Sequence, residues 1–276
     1  MSRSPGVALF PSAPVLLSHA TLYVLEHPAG ALTLGLLGSA PFALLLVLFL
    51  REAHEATLLA PGSVAGLFGP ALALGALWLW RFPCRLALAH WMAQQRHGRS
   101  PSLARALLFG LAQWPAGLQY GSLSTLGFIT GLALIVPLAL TLQGSLALHL
   151  FAAGQGSSRQ AWDEAGRVPA TGVGWRLLLV SQVLFLLSAL VLWTGPGSAL
   201  GLAEWLLRLD VSAWNELFAP TSAAWLLTVL ALAWMLVELL WSVAYGLVAE
   251  EWERISGGAD LSRRLAQLEA RDEVFA

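Results

Sequence analysis

The sequence lacks lysine altogether, contains a single cysteine, Cys84, and carries few charges of either sign. Charged residues make up 11% of the 276 residues, less than half the share of about 25% that is usual in soluble domains. A single cysteine excludes an intramolecular disulfide and a cysteine-based metal cluster, and we expect Cys84 to be a small buried apolar residue. The net charge of −1 gives no indication of nucleic-acid binding.

Apolar residues take the place of the missing charges. They account for 57% of the chain and give it a mean hydropathy of +0.70, so most of its surface must face lipid. Six apolar stretches approach the roughly 20 residues that a helix needs to cross the hydrocarbon core. The sequence therefore predicts an all-α, polytopic membrane bundle of about six transmembrane helices with interfacial amphipathic helices. The predicted spans are residues 29–50, 62–80, 116–136, 138–153, 174–193 and 221–249.

Three regions follow from these spans. Residues 1–28 are predicted to form an N-terminal interfacial helix, which Ser12 as N-cap and Pro14 in the first turn would begin. Residues 29–250 form the six-span domain, and residues 251–276 a cytoplasmic amphipathic tail.

Two further amphipathic helices and one uncertain turn complete this outline. A short cytoplasmic helix is predicted within residues 154–173, and a helix lying on the outer surface through residues 202–209. The turn between the third and fourth spans has two candidate positions, residues 121–125 and the vicinity of Pro137, and we favour Pro137.

The arginines are unevenly distributed between the two sides of the predicted spans. All but Arg51 and Arg208 of the 15 basic residues lie in segments on one side, which the positive-inside rule places in the cytoplasm. This predicts a bacterial inner-membrane protein with both termini inside. Five arginines would form a basic rim around the second inner loop and could bind anionic lipid or a partner, although orientation alone explains them equally well. They are Arg81, Arg85, Arg96, Arg99 and Arg105.

Glu238 places a carboxylate inside the sixth predicted span. A charge there costs about 2.5 to 3.5 kcal/mol on insertion scales and is a functional-site hypothesis by default. Gln143 lies at a similar depth in the fourth span, so the two side chains could hydrogen-bond across the bundle. Ser242 and Tyr245 follow Glu238 at i+4 and i+7 and give it a polar stripe. The alternatives are a proton or cation relay and simple interhelical hydrogen bonding, and the lack of an intramembrane partner charge favours the second.

Two patterns indicate protein partners. In the tail, Leu261, Leu265 and Leu268 form a narrow apolar stripe that needs something to pack against. A GxxxG pattern at residues 127–131 permits close helix approach, either within the bundle or in a homo-oligomer. Membrane lipids are the other expected partner.

Catalytic and metal sites are not predicted. The six histidines show no HExxH or comparable spacing, and His149, near the inner end of the fourth span, is expected to be structural. The loops offer no Ser-His-Asp set, carboxylate pair or phosphate-cradling glycine loop. We therefore expect a protein that is not an enzyme and holds no cofactor.

Three runs within residues 98–193 share a pattern with a known group of proteins. HGRSPSLARALLFGL opens an amphipathic helix after a polar turn, LALIVPLALTLQGSLALHLF enters a span through Ile-Val-Pro, and GQGSSRQAWDEAGRV forms a short helix with spaced Ala and Arg. The pattern resembles bacterial multi-span proteins grouped with the membrane domain of glycerophosphoryl diester phosphodiesterases and related uncharacterised membrane families. The family's usual glycine after the proline is Leu138 here, and its acidic residue at the end of the fourth span is replaced by residues 154–156.

The resemblance implies a topology and an accessory role rather than hydrolysis, because no phosphodiesterase catalytic domain accompanies these runs. We therefore expect a non-enzymatic scaffold or accessory subunit of a bacterial inner-membrane assembly. It would contact a partner or anionic lipid through its arginine-rich loops and its tail. The alternative is an ion-coupled transporter or permease that uses Glu238.

Overall fold

The fold is all-helical, as the sequence predicts. A computed structural model of the chain describes residues 11–59, 66–96, 98–99, 101–131, 135–154, 157–167, 173–208, 218–219 and 222–256. Within these ranges the regular structure is α-helix, apart from a short 3-10 turn at residues 66–67. The helices are α1 (Ala13–Glu26), α2 (Pro28–Leu59), α3 (Phe68–Arg96), α4 (Leu103–Ala112), α5 (Trp114–Gly131), α6 (Ile135–Ala152), α7 (Ser158–Ala165), α8 (Val173–Leu207) and α9 (Ala223–Ser256).

Four segments are long and apolar enough to cross a membrane. They are Pro28–Leu50, Phe68–Arg96, Val173–Leu207 and Trp225–Ile255, and they overlap the first, second, fifth and sixth predicted spans. Four apolar helices of this length suggest a helical membrane protein. The third and fourth predicted spans correspond to α5 and α6. Because α5 runs unbroken through residues 121–125, that position for the turn is wrong. Helix α5 ends at Gly131 and α6 begins at Ile135, so the favoured Pro137 lies in the first turn of α6.

Helix α8 corrects one prediction. The expected separate helix on the outer surface is the final part of α8, which continues through Pro196 to Leu207. A proline inside a helix removes one hydrogen bond, but an apolar segment in lipid must satisfy its backbone groups internally. Continuing the helix on both sides of Pro196 leaves fewer unpaired groups than a loop would.

The bundle is centred on α3 and α9. Helix α3 packs against α2, α4, α5, α6 and α9, and α9 also contacts α1 and α8. Helix α1 lies where α3 and α9 end, and the Tyr23 hydroxyl donates to Gln95 Oε1 at 2.8 Å. Helix α7 docks at the same end, where Trp252 Nε1 donates to Glu164 Oε2 at 3.2 Å. We call this the α1 end of the bundle.

Exposed apolar side chains on α8 support a lipid-facing surface. Leu186 is 66% exposed, Val191 65% and Trp205 77%. The outward-facing positions of a helix in lipid are expected to be apolar, whereas in water such a row would be unfavourable. The side of the bundle formed by α8 therefore suits a hydrocarbon environment.

Glycines allow the central helices to approach closely. A Cβ added at Gly38 on α2 would lie 2.9 Å from the Cβ of Cys84, which is buried as expected. One added at Gly110 on α4 would lie 2.2 Å from the Pro83 carbonyl oxygen. Small residues at such crossings are the usual means of helix association in membranes.

We expect Gly110→Ala to destabilise the bundle. The new methyl group would overlap the rigid backbone of α3, and overpacking of this kind costs about 1–3 kcal/mol. Gly75→Ala is the matched control, because a Cβ at Gly75 meets nothing within 4 Å. Thermal unfolding of the purified variants in detergent measures the effect. Equal melting temperatures for the two variants would contradict the close approach of α4 to α3.

Candidate functional site

A buried ion pair joins the midpoints of α3 and α9. Arg81 Nη2 donates to Glu238 Oε1, and the two side chains are only 7% and 11% exposed. The guanidinium of Arg81 also lies over the ring of Phe42 on α2, 4.8 Å from its centroid. Three helices thus hold an arginine and a glutamate away from both ends of the bundle.

The sequence of α2 creates the space for this pair. Gly35 and Gly38 face α9 and α3, and Ser39 is the small polar residue beside them. The Ser39 hydroxyl donates to the Gly35 carbonyl at 2.9 Å, which satisfies the hydroxyl within its own helix. A Cβ at Gly35 would meet Leu239 and one at Gly38 would meet Cys84, so these glycines let α2 lie close to α9 and α3 beside the ion pair.

A second arginine lies one helical turn along α3. Arg85 interacts electrostatically with both Glu238 and Arg81. Its Nε atom is buried and has no hydrogen-bond partner among the described residues, and the same is true of Arg81 Nε and Glu238 Oε2. We call Arg81, Arg85 and Glu238 the charge cluster.

The charge cluster lines a cavity of about 10 Å³. Its other polar walls are Ser39 and Ser242, and Cys84 lies beside them. A cavity of this size has room for about one water molecule. Buried donors and acceptors without partners are costly. A small polar ligand in the cavity would form hydrogen bonds with the unpartnered atoms of the charge cluster.

Further polar residues lead from the charge cluster to the α1 end. The buried His149 on α6 contacts the backbone of Ser242 and lies within electrostatic range of Arg85 and Arg96. Arg96 in turn forms an ion pair with Glu250, with Nε 3.1 Å from Oε2. Between the charge cluster and the α1 end, the interior of the bundle thus contains a row of polar side chains, His149, Arg96 and Glu250, which we call the polar file.

The other predicted site residues are dispersed. Gln143 Nε2 donates to the Trp162 carbonyl at 3.0 Å, so its partner lies at the α1 end rather than at Glu238. Tyr245 is buried, and its ring lies 5.0 Å from that of Trp241. Ser242 is the one residue of the predicted stripe that lines the cavity beside Glu238.

The five arginines of the predicted basic rim separate into two groups. Arg81, Arg85 and Arg96 point into the bundle, as described above, whereas Arg99 and Arg105 are exposed. Contact with lipid or a partner therefore stays a prediction for the two exposed arginines. The apolar stripe of the tail lies outside the described residues: Leu261, Leu265 and Leu268.

Sequence reasoning missed Arg81 as the partner of Glu238. The predicted second span ends at Trp80, and this prediction places Arg81 on the cytoplasmic rim. The helical periodicity continues to residue 92, and that signal could have located Arg81 within the span, since α3 runs to Arg96.

No protein-family model, curated protein or solved structure matches the chain. The resemblance of residues 98–193 to the phosphodiesterase membrane domain therefore stays a prediction. Among the residues that the structure describes, no group of three or more His, Cys, Asp or Glu side chains is arranged to hold a metal ion. The charge cluster is the strongest candidate site on geometry alone.

A double-mutant cycle tests the Arg81–Glu238 pair. Arg81→Leu or Glu238→Leu alone should lower the free energy of unfolding by about 3–5 kcal/mol, because each leaves a buried charge without its partner. The double variant should recover most of that loss, since both charges are gone. Chemical unfolding in mixed micelles measures all four proteins. Additive losses in the double variant would show that the two side chains do not interact.

Tyr23, at the α1 end, makes the stability of the fold depend on pH in the alkaline range. The pKa of Tyr23 is raised to about 12, mainly by burial, while Arg96 lowers it and Glu250 raises it by smaller amounts. The folded state therefore favours the neutral phenol, and this contribution to stability is complete below pH 10 and is lost as the pH rises towards 12. We expect Tyr23→Phe to make the melting temperature fall less steeply over this interval. An unchanged slope would place Tyr23 in contact with water.

Proposed function

We propose that the protein is a non-enzymatic, ion-coupled membrane transporter in which Glu238 binds and releases the coupling proton. The observation that carries the proposal is the charge cluster at the midpoints of two membrane-length helices. Ionisable residues inside transmembrane segments are rare and commonly mark ion pathways and proton relays. The partner charge that the sequence did not reveal is supplied by Arg81.

Protonation of Glu238 would change the forces between α3 and α9. The deprotonated carboxylate attracts Arg81, whereas the neutral acid removes that attraction and leaves the two neighbouring arginines of α3 without a counter-charge. An ion pair that forms and breaks with one proton is a two-state element of the kind that coupled transport needs. The proton would bind to Oε2 of Glu238, which has no hydrogen-bond partner among the described residues.

The polar file supports access to Glu238 from the α1 end. His149, Arg96 and Glu250 extend from the charge cluster towards the surface that α1 covers. In the proposed topology this end is cytoplasmic, both termini are inside, and α5 and α6 complete six spans in a bacterial inner membrane. The exposed Arg99 and Arg105 at this end agree with the positive-inside rule.

A scaffold or accessory subunit is the second candidate. Close glycine-mediated packing favours it, because Gly38 and Gly110 each bring two helices into contact with no room for a methyl group. Such packing suits a rigid support. In that case Glu238 would be a structural residue, and the exposed arginines and the tail would bind the partner or lipid.

Proton flux in proteoliposomes separates the two candidates. The protein is reconstituted with a pH-sensitive dye inside, and a small-molecule extract of bacterial cytosol on both sides supplies any co-substrate. After a pH jump, wild-type vesicles should equilibrate faster than protein-free ones, and Glu238→Gln should abolish the difference because it cannot exchange a proton.

Glu204→Gln is the control, since Glu204 is exposed near the end of α8 and should transport like the wild type. Wild-type flux no faster than that of empty vesicles would reject transport. Full flux in Glu238→Gln would assign the proton to another group.

A further inference from the structure

We propose that the cavity between α2, α3 and α9 binds one small monovalent anion of halide size. The binding itself stands on the geometry of the charge cluster, while its coupling to a proton rests on the proposed transport function. Three observations carry the proposal: the balance of charge, the type of unpartnered atoms and the size of the cavity.

The charge balance of the site is positive. Two arginines face one glutamate, and the only ion pair in the charge cluster joins Arg81 to Glu238. Among the described residues, the next charged side chains towards the α1 end are Arg96 and Glu250, which form an ion pair with each other. Arg85 therefore lacks a counter-charge of its own, in a region where low polarity strengthens its attraction for an anion.

The two unpartnered arginine atoms require an acceptor, whereas the unpartnered Oε2 of Glu238 requires a donor, which a proton bound to that oxygen would supply. Arg81 Nε and Arg85 Nε are buried without hydrogen-bond partners, and a guanidinium nitrogen can only donate. The Ser39 hydroxyl already donates to its own helix. A water molecule could accept from one or both arginines, but it would leave the positive charge uncompensated. An anion satisfies the donors and the charge together.

The cavity size selects the class of anion. About 10 Å³ accommodates roughly one water molecule. Phosphate, sulfate and carboxylates are several times larger and would require the helices to separate. A monatomic halide is larger than water but much smaller than these oxyanions, and it needs no directional acceptor geometry. Apolar neighbours such as Leu34, Leu88 and Leu239 also suit a weakly hydrated ion.

Glu238 would couple this anion to a proton. Its carboxylate is the negative group of the site, so protonation raises the net positive charge and strengthens anion binding. By linkage, a bound anion must favour proton uptake by the same factor. The two ions would therefore bind together, which gives the proposed transporter an anion as its co-substrate.

Equilibrium binding of radioactive chloride to the purified full-length protein tests the inference. Gluconate keeps the ionic strength constant, and bromide and phosphate serve as competitors. We expect saturable binding of one chloride per chain, displaced by bromide and not by phosphate. Arg85→Gln should weaken binding by about tenfold or more, because it removes the unpaired charge. Glu238→Gln should strengthen it by about fivefold or more, and Arg99→Gln, at an exposed arginine, should match the wild type.

Several outcomes would overturn the inference. They are no saturable chloride binding by the wild type, unchanged binding by a folded Arg85→Gln, weaker binding by Glu238→Gln, and displacement by phosphate as readily as by bromide. If Arg85→Gln does not fold, the wild type and Glu238→Gln still decide the matter. Chloride binding without proton flux would reject transport and keep the anion site, whereas proton flux without chloride binding would reject the anion site alone.

Discussion

The ion pair between Arg81 and Glu238 is the interaction on which the interior of this bundle depends. Neither charge is tolerable alone in the middle of a membrane-length helix, because an isolated buried ion loses its hydration without compensation. Together they join α3 to α9, and the guanidinium of Arg81 also lies over the ring of Phe42 on α2. Small residues line α2 at this level, which lets α2 lie close to the two helices that carry the pair.

The two ends of the bundle differ in polarity on either side of that pair. Towards the α1 end, His149 and the Arg96–Glu250 pair continue the polar interior, and Tyr23 connects α1 to Gln95. Towards the opposite end, α8 presents apolar side chains that suit lipid. The Arg96–Glu250 ion pair thus lies between the charge cluster and the α1 end, which is the end proposed to face the cytoplasm.

Hydropathy and periodicity predicted much of the fold. The four membrane-length helices, the helix of residues 13–26 and the short helix within residues 154–173 all follow from local patterns. The site was harder to predict, because pairing between α3 and α9 joins residues 157 positions apart. Depth estimates from span ends matched Glu238 with Gln143, whereas the actual neighbour depended on which faces of α3 and α9 meet. Likewise, Pro196 does not mark the end of α8, because the helix continues to Leu207.

Infrared difference spectroscopy of the protein in lipid tests the central claim most directly, because it observes the protonation of a single buried carboxyl. Spectra of the wild type at low and neutral pH should show a carbonyl band of a protonated carboxylic acid that is absent from Glu238→Gln. The band should also shift in Arg81→Gln, where the acid has lost its cationic partner. Identical difference spectra for wild type and Glu238→Gln would show that Glu238 exchanges no proton and would contradict the account.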